Sequence, residues 1–349
     1  MKIEPLVIGG VTIPKNKETK LNLQLPKMYS TPTQLPVRVI RGRVDGPVVF
    51  VSAAIHGDEL NGIEIIRRLR KLSILKKLKG TLILVPIVNI YGTMNLSRYL
   101  PDRRDLNRSF PGSSKGSLAG RVAKIFFDEI VSKCDLGIDL HTASIHKSNL
   151  PQVRTNIENE YTFNLAKAFE APVVLHSQLR DGSLRSVAQE SGVPILLYEA
   201  GEALRFDENC IRIGVKGIIN VLRANNMLPK VIRKKAARTP VITKMSKWIR
   251  SSHSGMIRTI KALGETVKAD EVIAFIDDPF EDESYEIRSI FDGVIIGKSE
   301  IPIIQEGDAV FHIAKFRNLE SAEDKIEYFN EEIIEQSEFY ELNNEEIIE

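Results

Sequence analysis

Uninterrupted apolar runs alternate with helically spaced apolar residues over positions 36–226. The runs PVVFVSAA, TLILVPIV, LGIDL, PVVL and PILLYEA lack polar alternation, which predicts strands buried on both faces. Between the first two runs, apolar residues recur at every third position and predict a helix over 58–72. Strands that alternate with helices indicate an α/β fold, with a mixed, mostly parallel sheet flanked by helices.

The two ends of the chain follow different patterns. LNLQL and PVRVIRG alternate apolar with polar residues, which predicts antiparallel strands near the N-terminus. After position 230 the chain changes to short apolar segments separated by glycines. We therefore predict five segments: an N-terminal strand region 1–35, an α/β domain 36–229, a basic linker 230–252, an all-β domain 253–316 and an acidic tail 317–349.

The predicted β domain contains an internal repeat with an offset of 38 residues. The segment that begins at Ser254 aligns without a gap to the one that begins at Asp292, so that Gly255 matches Gly293 and Asp270 matches Asp308. Two similar halves of short strands resemble the biotinyl/lipoyl-like barrel-sandwich domains. Those carriers attach their cofactor to a lysine between the halves, and the connecting segment DDPFEDESYEIR has none. We therefore expect a structural or substrate-gating module.

The net charge of +2 is unevenly distributed. Residues 317–349 contain twelve acids and two bases, a net charge of −10, so residues 1–316 carry +12. Apart from the 230–252 segment the bases are scattered, and no zinc-finger spacing, RNA-binding signature or glycine-rich phosphate loop accompanies them. We expect a solvated basic surface and no nucleic-acid partner.

Length and composition limit the class of protein further. A chain of 349 residues, 43% hydrophobic and 27% charged, is typical of a globular protein with roughly two domains. We find no secretory signal and no apolar stretch near the ~20 residues of a membrane span. Two cysteines are too few for a disulfide framework, so both are expected to be reduced. These features predict a cytoplasmic protein without a membrane partner, and they leave homo-oligomer formation open.

Candidate chemistry lies directly after three of the predicted strands. AAIHGDELNG contains His56 and Glu59, DLHTAS contains His141, and LLYEAG contains Glu199. Ligands in α/β sheets bind beyond the carboxyl ends of the strands, so we expect these side chains to converge at one edge. Two imidazoles and a carboxylate form the ligand set of an open catalytic zinc site. The carboxylate of Glu199 could then carry the proton that hydrolysis requires.

Two neighbouring features have open interpretations. Asp139 precedes His141 by two positions, so both side chains point to the same side of the strand. Its carboxylate either orients that imidazole or bonds to backbone. The arginine-rich segment SRYLPDRRDLNRSFPG is either a solvated basic loop or an ordered loop in which Asn107 and Arg108 receive a carboxylate.

Four motifs in order, HGDE, DLNRSFPG, DLHTAS and YEAG, resemble the succinylglutamate desuccinylase/aspartoacylase family, which has the zinc-carboxypeptidase fold. The resemblance covers residues 36–226 and continues in kind through the β domain. It implies a zinc hydrolase catalytic domain over 36–229. It also implies one Zn²⁺ ion bound by His56, Glu59 and His141, with Glu199 as the general base and acid.

The same resemblance assigns the basic side chains. It implies that Arg98 polarises the scissile carbonyl and that Asn107, Arg108 and Arg185 bind carboxylates of a small-molecule substrate. The segment after Arg98 is longer here than in aspartoacylases, which leaves two alternatives for the carbonyl-polarising role, Arg103 and Arg104.

These observations predict a zinc-dependent hydrolase that cleaves the amide bond of an N-acyl amino acid. A zinc carboxypeptidase would use the same metal site and arginines on peptide C-termini. A non-catalytic binding protein on the same scaffold is a third alternative. The sequence disfavours it because both imidazoles and both carboxylates are present.

Overall fold

The predicted alternation of strands and helices is present in the structure, a computed structural model that describes residues 5–230, 239–280, 282–316 and 326. The first ten strands are β1 (Val7–Ile8), β2 (Val11–Thr12), β3 (Lys17–Met28), β4 (Thr31–Arg41), β5 (Val48–Ala53), β6 (Thr81–Val85), β7 (Leu136–His141), β8 (Lys147–Thr155), β9 (Val173–His176) and β10 (Ile195–Gly201). The α-helices are α1 (Asn61–Lys71), α2 (Ile90–Met94), α3 (Leu118–Glu129), α4 (Glu160–Phe169), α5 (Leu184–Glu190) and α6 (Glu208–Ala224).

The later strands are short and follow one another without an intervening α-helix in the described part. They are β11 (Val241–Thr243), β12 (Ser246–Arg250), β13 (Gly255–Thr259), β14 (Thr266–Val267), β15 (Val272–Asp277), β16 (Ser284–Arg288), β17 (Gly293–Ser299), β18 (Ile303–Ile304) and β19 (Ala309–Lys315). Two of them, β11 and β12, lie inside the segment predicted as a basic linker, which therefore contains paired strands over 241–243 and 246–250. The apolar residues of these strands pair with neighbours, which solvent-exposed linker residues do not.

One thirteen-stranded mixed sheet dominates the fold. Its main path runs β12-β19-β17-β8-β10-β7-β5-β6-β4-β3, with β9, β11 and β14 paired beside it. Strands β10, β7, β5 and β6 are parallel neighbours, whereas β8 and β4 join them in antiparallel orientation. Parallel pairs also join β8 to β9 and β9 to β11. The sheet is mixed because the β3–β4 hairpin and the C-terminal strands extend its two flanks with antiparallel pairs.

The central strands separate two apolar layers. Alternate residues of β5 point to opposite faces, so Val49 and Val51 lie in one cluster and Phe50 lies in the other. The first cluster packs under α1, α4 and α6, and the second packs under α3 and α5. This burial on both faces explains why the central strands have no polar alternation in the sequence.

The register of the parallel strands brings the candidate residues to one edge. Across β7 and β10, His141 pairs with Glu199, and across β5 and β7, Ser52 pairs with Asp139. The helix predicted to start at 58 begins at Asn61 instead. The intervening residues form a turn in which the Glu59 N–H donates to the His56 carbonyl, 3.2 Å away.

Helix α1 lies very close to the strands that carry the site, and Gly62 permits this approach. A Cβ atom at Gly62 would lie 2.6 Å from the Cβ of Ala53 and 2.8 Å from that of Leu140. Gly62→Ala is therefore expected to lower the free energy of unfolding by about 1–3 kcal/mol, measured by urea denaturation.

A second helical glycine provides the matched control. A Cβ at Gly120 in α3 would have its nearest neighbour at 3.5 Å, an ordinary contact. Gly120→Ala should leave stability unchanged or raise it by up to about 1 kcal/mol, since alanine favours helix. Equal effects of the two substitutions would contradict the packing argument.

The internal repeat corresponds to equivalent strands. β13, β14 and β15 belong to the first half, and β17, β18 and β19 belong to the second. The halves exchange partners, because β14 pairs with β17 and β18 pairs with β13. The resemblance to a barrel-sandwich remains a prediction, as does the proposed domain division.

Several predictions concern parts of the chain with little described structure. The tail 317–349 lies outside the described residues except for Ile326, and so does 231–238 of the basic segment.

Cys134 and Cys210 are both buried and free. Within the described residues, no helix has the length and apolar character needed to cross a membrane.

Candidate active site

Three buried side chains meet at the carboxyl ends of β5 and β7. His56 follows β5, Glu59 lies in the turn before α1, and His141 ends β7. The Glu59 carboxylate bridges the imidazoles, with Oε1 2.7 Å from Nδ1 of His56 and Oε2 2.7 Å from Nδ1 of His141. One donor atom from each residue lies within 4.8 Å of the others, so this cluster could hold a metal ion.

Each imidazole lies between two carboxylates. Beyond Glu59, Nε2 of His56 lies 3.1 Å from Oδ1 of Asp105, and Nε2 of His141 lies 2.8 Å from Oδ2 of Asp139. A neutral imidazole has one N–H and can donate to only one of two acceptors. The remaining nitrogen lone pair therefore requires a cation, which is either a proton or a metal ion. Outer carboxylates that leave Nδ1 free for the ion are typical of metal-bound histidines, so the donor set fits such an ion.

The charges within the cluster are strongly coupled. Burial alone would raise the pKa of Glu59, but His56 and His141 hold it well below its usual range. Burial would lower the pKa of both imidazoles, yet the facing carboxylates raise the pKa of His56 and raise that of His141 well above its ordinary value. Protons and a metal ion would therefore compete for the same nitrogen atoms.

The open interpretation of Asp139 is resolved by its contacts. Its Oδ2 meets His141, and its Oδ1 accepts a 2.7 Å hydrogen bond from the hydroxyl of Ser52 on the neighbouring strand. Asp139 therefore orients an imidazole of the cluster. Asp105, which we did not predict, does the same for His56. The sequence could have indicated Asp105 through its position directly before the Leu106-Asn107-Arg108 turn. Its side chain caps that turn by accepting a hydrogen bond from the Asn107 N–H.

The cluster opens into a cavity of about 420 Å³, a volume that suits a small molecule. All eight predicted site residues line it. The cavity is strongly cationic, since its described lining contains six basic side chains: Arg98, Arg108, Lys147, Arg154, Arg180 and Arg185. Its three carboxylates, those of Glu59, Asp139 and Glu199, already contact imidazoles or basic groups.

The arginines differ in how they are held. Arg98 reaches Oε1 of Glu59 at 3.3 Å and Oδ2 of Asp105 at 3.1 Å, which places its guanidinium beside the cluster. Its alternatives Arg103 and Arg104 are exposed and absent from the described lining of the cavity. Of the three candidate arginines, the described lining of the cavity therefore contains only Arg98.

The predicted carboxylate-binding residues lie in the Leu106–Arg108 turn and in α5. The side-chain oxygen of Asn107 accepts from the Leu184 N–H at 2.9 Å, which ties the turn to the start of the helix. Arg185 donates from Nη2 to the carbonyl of Gln178 at 2.7 Å, while its buried Nη1 has no partner among the described residues. Burial, followed by the charge of Arg154, lowers the pKa of Arg185 to about 10, so the group stays charged at neutral pH.

The cavity lining also contains residues that the sequence analysis missed. Strand β8, with its polar start and Pro151, was not predicted, and it carries Lys147, Asn149 and Arg154. Trp248 comes from β12, inside the predicted linker, and its ring lies 5.0 Å from the Lys147 ammonium. Only the pairing of distant strands brings these residues to the site.

His312 lies behind Trp248. Its side chain is buried and stacks on Trp248 with ring centroids 4.8 Å apart. Its Nε2 lies 2.9 Å from the hydroxyl of Ser246. Burial, reinforced by the charge of Arg154, lowers the pKa of His312 to about 3, so the imidazole is neutral.

Fold and site together define a mixed α/β protein with a metal-ion-sized His-Glu-His cluster inside a cationic cavity. The catalytic-domain signature of the succinylglutamate desuccinylase/aspartoacylase family matches residues 45–225, more than half of the chain. The chain belongs to this family, as its four motifs predicted.

Individual relatives cover most of the chain. It is 27% identical over 295 residues to the N-alpha-acetyl-L-2,4-diaminobutyric acid deacetylase of Halomonas elongata. The aligned region covers 80% of this chain and 85% of that protein. The product-bound ectoine utilization protein of Ruegeria pomeroyi has a TM-score of 0.78 at 24% identity, covering 90% of this chain and 100% of that one. A succinylglutamate desuccinylase/aspartoacylase structure from Rhodobacter sphaeroides has a TM-score of 0.76 at 24% identity, covering 87% and 98%. These structures share the fold.

Proposed function

We propose that this protein is a zinc-dependent hydrolase that cleaves the amide bond of an N-acyl amino acid. The observation that carries the proposal is the buried cluster of His56, Glu59 and His141, whose imidazoles each require a cation between two carboxylates. Family membership and the deacetylase relative support an acyl-amide substrate. We further propose that the protein acts in the cytoplasm on a small molecule.

The three cluster residues would hold the ion through Nδ1 of each imidazole and a carboxylate oxygen. When bound, zinc supplies a Lewis acid that polarises a carbonyl and acidifies water. Arg98, beside Glu59, would donate to the oxygen of the scissile carbonyl as negative charge develops there. The Asn107-Arg108 turn and Arg185 would hold substrate carboxylates by charge-assisted hydrogen bonds.

Glu199 would carry the proton. It lines the cavity at the end of β10, directly beside His141 in the parallel register. Its carboxylate would accept a proton from the attacking water and pass it to the leaving nitrogen, because an amine is expelled only when protonated. The Arg154 ion pair keeps this carboxylate at the cavity wall.

Six basic side chains and no uncommitted carboxylate in the described lining favour an anionic substrate. We expect N-acetyl-L-aspartate or N-succinyl-L-glutamate to be hydrolysed with a kcat/KM at least about 10-fold higher than N-alpha-acetyl-L-2,4-diaminobutyrate, whose side-chain ammonium would face arginines. Steady-state rates on this panel, at equal zinc loading, measure the ranking. A clear preference for the diamino acid would contradict the charge argument.

Metal analysis of the purified protein, followed by assays on that panel, tests the function. We expect one zinc per chain and hydrolysis of at least one N-acyl amino acid. Dipeptides in the same panel test the carboxypeptidase alternative, and their exclusive cleavage would establish it. Stoichiometric zinc without any hydrolysis would favour the non-catalytic alternative.

A further inference from the structure

Arg154 contacts the carboxylate of Glu199, and no role follows for it from the sequence motifs. Its Nη2 lies 2.6 Å from Oε2 of Glu199. The two side chains are only 18% and 17% exposed, so water screens this pair less than a surface pair. An ion pair so placed restricts both side chains.

Asn149 contacts the same oxygen atom. Its Nδ2 donates to Oε2 of Glu199 at 2.9 Å. Among the described residues, Arg154 and Asn149 therefore both contact Oε2 of this carboxylate. Two donors on one oxygen define the orientation of the carboxylate and direct Oε1 away from them.

The strand geometry shows why both donors reach Glu199. Strand β8 pairs antiparallel with β10, where Gln152 lies opposite Glu199 and Arg154 lies two positions further on the same face. Between Glu199 and Gly201 the register shifts, so that three residues of β8 span two of β10. This bulge turns Asn149 to the face of Glu199, a common effect of bulges beside functional sites.

The C-terminal strands pack against the strand that carries Asn149 and Arg154. Strand β17 pairs with β8 at Gly297 and Asn149, where a Cβ on the glycine would lie 2.8 Å from the Asn149 side-chain oxygen. Burial and the guanidinium charge of Arg154 lower the pKa of His312. This imidazole is therefore neutral and does not compete with Arg154 for the Glu199 carboxylate. The support for Glu199 thus involves Gly297 and His312, which lie 98 and 113 positions further along the sequence.

We propose that Arg154 and Asn149 are positioning residues for Glu199, which hold its carboxylate through Oε2 and leave Oε1 to carry the proton. This inference rests on the proposed function, in which Glu199 is the proton carrier. A misplacement of about 1 Å at such a group lowers the rate by up to about 100-fold. The effect of losing Arg154 should therefore appear in kcat.

The test compares Arg154→Ala, Arg154→Lys and Glu199→Gln, singly and as the Arg154→Ala/Glu199→Gln double variant, in the full-length zinc-loaded protein. The probe is whichever of N-acetyl-L-aspartate and N-succinyl-L-glutamate the unaltered protein cleaves faster. We expect Arg154→Ala to lower kcat by about 10- to 100-fold, with KM changed by less than about 3-fold and zinc content unchanged. Arg154→Lys should recover part of the rate.

The double variant separates positioning from other roles. If Arg154 acts through Glu199, its removal in the Glu199→Gln background should change kcat by less than about 2-fold. If Arg154 instead binds substrate through its unpaired Nε, the loss would appear in KM and persist in the double variant, which would overturn the proposal. If the alanine variant fails to fold, Arg154→Gln replaces it, alone and combined with Glu199→Gln.

Arg38→Ala is the matched control, because Arg38 also forms a diagonal cross-strand pair, with Glu18 across β3 and β4 at 3.5 Å. Arg38 is absent from the described lining of the cavity, so the Arg38→Ala variant should have an unchanged kcat. Normal turnover by Arg154→Ala alongside an inactive Glu199→Gln would refute the positioning role alone. Normal turnover by Glu199→Gln would instead refute the proposed function.

Discussion

Glu199→Gln is expected to lower kcat by about 100-fold or more while the zinc content and the free energy of unfolding change little. Glutamine has nearly the same shape as glutamate and can still accept from the Nδ2 of Asn149 through its amide oxygen. It cannot accept and release a proton, however, and proton transfer to the leaving nitrogen would then depend on solvent. Initial rates on the preferred N-acyl amino acid and metal analysis measure the two quantities.

Glu202→Gln provides the control for this substitution. Glu202 lies just beyond β10, pairs with Arg205 at 3.0 Å and is absent from the described lining of the cavity. Its replacement should leave kcat within about 2-fold of the original value, because no proton path is affected. Near-normal turnover by Glu199→Gln would remove Glu199 from the mechanism.

His141→Ala is expected to abolish stoichiometric zinc binding and, with it, hydrolysis. Loss of a residue that only orients a metal ligand typically reduces metal affinity by about 10- to 100-fold, so loss of a direct ligand should exceed that range. The substitution also leaves Asp139 and Glu59 facing each other without the imidazole between them. Zinc titration with a competing chelator measures the affinity, and the hydrolysis assay measures the consequence.

A histidine five residues further along provides the comparison for His141→Ala. His146 is exposed, absent from the described cavity lining, and has a positive φ of 64°, a conformation that asparagine tolerates. His146→Asn should therefore bind zinc and hydrolyse substrate as the unaltered protein does. Full zinc occupancy in His141→Ala would show that the cluster is not the metal site.

The C-terminal strands contribute to the cavity as well as to the fold. Trp248 lines the cavity wall, and His312 stacks behind it. The gating or structural role of the β domain stays a prediction. The sequence repeat predicted paired halves, but nothing in it indicated that strands of both halves continue the central sheet.

Local patterns predicted the centre of the molecule well. Strands β5, β6, β7 and β10 are mostly buried, so apolar residues dominate their sequences and they could be recognised without a structure. Strand β8 could not be recognised in this way. Its polar first residues face the cavity and the C-terminal strands, so its composition reflects the site rather than the core.

The sequence by itself determined the central α/β alternation, the family and the candidate metal-binding cluster. Those features depend on residues close together in sequence or on strand ends, which parallel pairing must bring to one edge. Only the tertiary structure decided that Asp105 and Asp139 orient the imidazoles, that Arg98 rather than its neighbours lies at the cavity, and that Arg154 contacts Glu199. These contacts depend on strand register, a bulge and the approach of remote strands, which are set by packing across the whole chain and leave no local signal.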